Sequence, residues 1–96
     1  MRRWRSTGRQ QLTVSNSAVT LTVPSETAGA LIYVGSNPIR FTLDGTDPTS
    51  SLGIALSAGD FIDLTDPDAD YRGLLLAMKL IRSGSSDAVC DIEYLR

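Results

Sequence analysis

The sequence predicts an all-β fold, a small antiparallel β-sandwich or jelly-roll-like barrel with an extended basic N-terminal arm. From residue 11 onward, segments of strand length alternate apolar and polar side chains. Clusters of Gly, Pro, Asn, Asp and Ser separate these segments at short intervals. The 96 residues suffice for one hydrophobic core and not for two. We therefore assign residues 1–10 to the arm and residues 11–96 to a single domain.

The first strands follow from this alternation. Residues 19–23 alternate valine or leucine with threonine, as a strand with one buried face does. Residues 30–34 form a continuous apolar run between Gly29 and Gly35, which predicts a central strand. Residues 39–43 alternate again, and we expect them to form a hairpin with the central strand.

The second half of the chain contains one ambiguous segment. Short strands are expected around residues 54–56 and 61–64, with Phe61 pointing inward. Residues 74–82 are good helix formers, but Gly73 and the Ser-Gly turn at 83–86 confine them to strand length. We predict a buried strand there, in a hairpin with the last strand. That last strand should place Ala88, Cys90, Ile92 and Tyr94 inward.

The chain lacks the residues on which most hydrolytic chemistry depends. It contains no histidine, which removes the usual general base and the usual metal ligand. Cys90, the only cysteine, is expected to be a buried inert thiol, and Lys79, the only lysine, to occupy an edge or outward position on a strand. No phosphate-binding glycine loop is present. We predict a protein that is not an enzyme and that carries no cofactor.

Two acidic loops resemble cation sites only in part. Asp66, Asp68 and Asp70 imitate the start of a calcium loop, but Tyr71 stands where that loop needs glycine. The loop at Asp44 is better explained as a turn in which the carboxylate accepts backbone N–H groups. No metal site is therefore predicted.

Charge is distributed unevenly along the chain. Four of the nine basic residues lie within the first nine positions, and no acidic residue precedes Glu26. The remainder carries five basic against eleven acidic residues, so a basic arm precedes an acidic body. We expect the arm to bind a neighbouring protein subunit, with nucleic acid as the less favoured target. The predicted partner-binding residues are Arg2, Arg3, Trp4, Arg5, Arg9, Asp63, Asp66, Asp68 and Asp70.

No apolar run approaches the length of a membrane span, so no membrane partner is expected.

Three segments carry a resemblance to a known group of proteins. They are Ile-Arg-Phe-Thr-Leu-Asp-Gly-Thr-Asp-Pro-Thr at 39–49, Gly-Ile-Ala-Leu at 53–56 with Gly59 and Phe61, and residues 80–88 closing on Ile-Glu-Tyr at 92–94. Together they resemble small β-sandwich virion proteins of tailed bacteriophages. The first segment also resembles the immunoglobulin-like domain at the C-terminus of chitobiases and β-hexosaminidases.

The phage resemblance implies a structural role on the virion. The expected function is that of a capsid decoration (cement) protein that stabilises the assembled head by binding the major capsid protein or other virion proteins. It also implies a homo-oligomer, with a trimer favoured. The alternatives are a head-to-tail adaptor, a tail or fibre component, or a glycan-binding immunoglobulin-like accessory domain.

Overall fold

The computed structural model describes residues 4–96 and shows two four-stranded antiparallel sheets packed as a sandwich. Sheet 1 has the strand order β1-β8-β3-β6, and sheet 2 has the order β2-β7-β4-β5. One short helix, α1, connects the sheets. The elements in chain order are β1 (Ser6–Val14), β2 (Val19–Thr20), β3 (Gly29–Ser36), β4 (Ile39–Thr42), β5 (Ile54–Leu56), β6 (Phe61–Leu64), α1 (Arg72–Ala77), β7 (Lys79–Arg82) and β8 (Ala88–Leu95). The predicted antiparallel β-sandwich is confirmed.

Strand β8 occupies the middle of sheet 1 and supplies much of the core. It pairs with β1 on one side and with β3 on the other. Its inward residues Ala88, Cys90, Ile92 and Tyr94 are at most 1% exposed, which confirms the alternation predicted for them. The central position predicted for residues 30–34 is also confirmed, because β3 lies between β8 and β6.

The two predicted hairpins are wrong. Strands β3 and β4 belong to different sheets, and so do β7 and β8. Both edges of β3 are already paired, with β8 and β6, so its backbone has no edge left for β4. The connection at Asn37-Pro38 instead carries the chain across the sandwich. There Asn37 adopts a positive φ of 62° and its side-chain amide donates to the Asp87 carbonyl.

Residues 74–82 contain the end of a helix followed by a strand. Residues 74–77 belong to α1, so the single buried strand predicted over 74–82 is wrong for this half. Met78 is extended and ends the helix, and β7 follows from Lys79. Leu75 and Met78 are fully buried, whereas Leu76 is 56% exposed. Helix propensity therefore determines the structure of residues 74–77, of which only Leu75 is buried.

The extended N-terminal arm is not confirmed. Residues 6–10 belong to β1, and Arg5 forms two backbone hydrogen bonds of 2.8 Å with Arg96. The Trp4 ring packs against Gly29, with two ring carbons 2.9 Å from the position that a Cβ would take. The indole N–H donates to the Thr65 carbonyl at 2.9 Å. Arg2 and Arg3 lie outside the described residues.

Replacing Gly29 tests this close packing. An alanine Cβ at this position would lie 2.5 Å from the Leu64 carbonyl oxygen and 2.9 Å from the Trp4 ring. Gly29→Ala is expected to lower the free energy of unfolding by about 1–3 kcal/mol, as overpacking does. Urea denaturation would measure the change.

Gly73→Ala is the matched control, because a Cβ there meets no atom within 4 Å and the residue is helical. This variant should be stabilised by roughly 0.5–1 kcal/mol. Equal effects of the two substitutions would contradict the role of Gly29.

Candidate functional site

The outward side of sheet 1 is the most distinctive surface of the described chain. We call it the sheet-1 outer face. Strand registry forms two rows across it. In one row Tyr33 lies between Asp91 of β8 and Phe61 of β6; in the other Leu31 lies between Glu93 and Asp63. The face comprises Arg9, Gln11, Thr13, Leu31, Tyr33, Phe61, Asp63, Val89, Asp91, Glu93 and Leu95.

Three apolar side chains on strands β3 and β6 of this face, which we call the apolar patch, are exposed to solvent. Leu31 is 39% exposed, Tyr33 45% and Phe61 64%. The inward orientation predicted for Phe61 is therefore wrong. Residues 61 and 63 share one side of β6, and a carboxylate at Asp63 favours the solvent side for both. That charge is the sequence signal that identifies the orientation of Phe61.

Carboxylates flank the apolar patch. The side-chain amide of Gln11 donates to Asp91 at 3.3 Å, and the Arg9 guanidinium lies 3.4 Å from Glu93. The Thr65 hydroxyl donates to Asp63. The Arg9 side chain is 82% exposed, so its ion pair contributes little to stability. The described part of this face carries three carboxylates and one guanidinium, so it is acidic.

The structure brings together only part of the predicted partner-binding set. Arg9 and Asp63 lie on the sheet-1 outer face. Asp66, Asp68 and Asp70 lie in the loop between β6 and α1. Trp4 contacts its own domain at Gly29 and Thr65, and Arg5 pairs with Arg96 through the backbone.

The acidic loops use their carboxylates to cap local backbone groups. Asp66 accepts from the Asp68 N–H at 2.9 Å, and Asp70 accepts from the Arg72 N–H at 3.0 Å. Asp44 accepts from the Thr46 N–H at 3.0 Å, and this hydrogen bond lowers the pKa of the Asp44 carboxyl. Gly45 follows with φ 85°, which confirms the predicted turn. Within residues 4–96, no three Asp, Glu or Cys side chains are arranged to hold a metal ion.

A groove of about 380 Å³ lies on the opposite side of the sandwich, over sheet 2. The guanidinium of Arg40 shapes this side by donating to the carbonyls of Ser50 at 3.0 Å and Gly53 at 2.9 Å. These bonds hold the loop between β4 and β5 close to the sheet. The groove is lined by Asn16, Thr49, Ser50, Ile81, Arg82 and Gly84. Arg82 is paired with Asp87 at 2.6 Å, and none of the lining side chains is aromatic.

Cys90 lies in the core, as predicted, with no exposed surface. Burial, with a smaller contribution from the charge of Asp91, raises the pKa of its thiol to about 11. A nucleophilic cysteine needs the opposite, an accessible thiolate at neutral pH. Cys90 is therefore a packing residue.

Comparison with known proteins yields no relative. No protein family model, no curated protein and no solved structure matches this chain. The described residues contain no helix with the length and hydrophobicity that crossing a membrane requires.

The free energy of unfolding should fall at alkaline pH because the buried side chains of Cys90 and Tyr94 resist losing their protons. Burial raises the pKa of Cys90 from 9.0 to about 11 and that of Tyr94 from 10.0 to about 12. The unfolded chain therefore loses these protons at lower pH than the folded chain does. The stabilising contribution of the two groups is complete below about pH 9 and is lost progressively between pH 9 and about pH 12. Tyr94→Phe should show a shallower decline than the wild type when the free energy of unfolding is measured against pH. Parallel declines for the two proteins would contradict this assignment.

Proposed function

We propose that this chain is a structural protein of a tailed-phage virion, a capsid decoration protein that binds assembled head subunits without catalysing a reaction. The observation that carries the proposal is the exposed apolar patch on β3 and β6 of the sheet-1 outer face. We place the proposed binding event on a phage particle because the sequence resembles small phage virion proteins. The major capsid protein or another virion protein is the proposed partner.

Exposed apolar side chains on a paired sheet favour a protein-binding role. Tyr33 and Phe61 are cross-strand partners, and Leu31 lies two residues from Tyr33 on the same side of β3; an exposed apolar patch of this kind is typical of an interaction site. Aromatic side chains are also enriched at interface centres. The backbone beneath them is hydrogen-bonded on both sides of β3, so the face is preorganised and loses little entropy on binding.

The proposed mechanism is thermodynamic linkage. A protein that binds the assembled shell and not its free subunits lowers the free energy of the assembled state by mass action. Repeated weak contacts would add through effective concentration if the chain forms a closed homo-oligomer, with a trimer favoured. A head-to-tail adaptor, tail or fibre component would use the same fold at a different symmetry.

A glycan-binding accessory domain is the second candidate, and one observation favours it. Tyr33 and Phe61 lie directly opposite each other on neighbouring strands and are both exposed. Sugar rings stack on such aromatic faces, and Asp91 and Asp63 could accept hydroxyl hydrogen bonds at the margin. Binding to a glycan array that is lost in Tyr33→Ala would support this candidate.

Purified phage particles test the leading proposal. Quantitative mass spectrometry should find the chain at a copy number comparable to that of the major capsid protein. A copy number of one small ring would indicate the adaptor or tail alternative instead. Particles that lack the chain should lose DNA at lower temperature than complete particles, because the stabilising ligand is gone. Absence of the chain from purified particles would refute the virion assignment.

A further inference from the structure

We infer that the sheet-1 outer face is the docking surface of this protein, and that its occupant is a basic protein surface with apolar side chains at its centre. The inference rests on the proposed function, because it takes the occupant from the virion. The sequence-based expectation placed the contact on the basic arm and on the acidic segment from Asp63 to Asp70, and of those residues the sheet-1 outer face contains Arg9 and Asp63.

The exposed apolar side chains of sheet 1 lie next to one another. Tyr33 and Phe61 face each other across β3 and β6, and Leu31 lies two residues from Tyr33 on the same side of β3. The three side chains thus form one patch at the β6 edge of sheet 1. Large apolar side chains in such a patch gain most when a partner excludes water from all of them together.

Carboxylates border the apolar side chains on both sides. Asp91 and Glu93 border the patch on β8, and Asp63 borders it on β6. Among residues 4–96, Arg9 is the only basic side chain on the sheet-1 outer face, and it already contacts Glu93. A partner that places Lys or Arg side chains opposite these carboxylates satisfies them, whereas an acidic partner or a nucleic acid backbone would be repelled.

A second copy of the chain, docked through the same face, is a poor occupant of the sheet-1 outer face. Two copies meeting through this face about a twofold axis would bring together two surfaces that each carry three carboxylates and, among the described residues, one guanidinium. Such a contact joins two surfaces of the same net charge. The contact favoured by complementarity is therefore with a different, basic surface.

The experiment measures binding to purified heads that lack this chain. Phe61→Ser should weaken binding at least about tenfold, as loss of an interface anchor does. Leu52→Ser is the matched control, since Leu52 is 52% exposed in the loop before β5, away from sheet 1. It should bind as the wild type does. Thermal unfolding of each variant verifies that the fold is intact.

A charge reversal distinguishes the face from the acidic loop. Asp63→Lys should weaken binding severalfold at low salt, whereas Asp68→Lys, in the exposed loop, should change it little. The difference should shrink at about 1 M salt, where screening extends over only about 3 Å. A stronger effect of Asp68→Lys would overturn the inference in favour of the loop.

The remaining outcomes are also decisive. If wild-type protein does not bind heads, the proposed function fails. If it binds and Phe61→Ser binds equally well, the inference fails while the proposed function stands. Glycan-array binding that Phe61→Ser abolishes, with head binding unchanged, would assign the face to a sugar. A smaller oligomer of Phe61→Ser in light scattering would assign the face to a second copy of the chain.

Discussion

Strand β8 is the element on which the rest of the structure depends. Its eight residues alternate between the core and the outer surface, and its backbone pairs with β1 on one side and β3 on the other. The inward side ends with Tyr94, whose hydroxyl donates to the Gln10 side chain at 2.6 Å and so satisfies a polar group that is 1% exposed. Since a shift of one residue would turn every side chain to the wrong side, the buried set fixes the register of three strands at once.

The same register arranges the candidate binding surface. Once Ala88, Cys90, Ile92 and Tyr94 point inward, Asp91 and Glu93 must point outward, and registry places Tyr33 and Leu31 beside them. Apolar and acidic side chains therefore lie in fixed rows on a hydrogen-bonded sheet and not on loops. The chemistry of the face is a direct consequence of the packing beneath it.

The outer sides of the two sheets differ in the apolar side chains that they expose, which explains why sheet 1 is the better candidate for a binding surface. Over sheet 2 the loop before β5 folds back onto the strands, held by Arg40, and covers Ile81 to 8% exposure. Trp4 lies at the Gly29 end of β3, and beyond it Leu31, Tyr33 and Phe61 remain open on sheet 1. Leu52 and Ile54 also remain exposed on the sheet-2 side, at 52% and 55%. The difference is that the exposed apolar side chains of sheet 1 include a cross-strand aromatic pair, Tyr33 and Phe61.

The sequence by itself determined the all-β class, the inward set of β8, the buried thiol of Cys90 and the turn at Asp44 and Gly45. These features depend on period-two alternation and on local turn chemistry, which neighbouring residues encode. Only the tertiary structure decided which sheet each strand joins, because short connections such as Asn37-Pro38 can close a hairpin or cross the sandwich. It also decided that residues 74–77 are helical and that Trp4 packs on Gly29. The physical reason is the same in each case: the outcome depends on partners distant in sequence, such as the Thr65 carbonyl for Trp4 and strands β8 and β6 for β3.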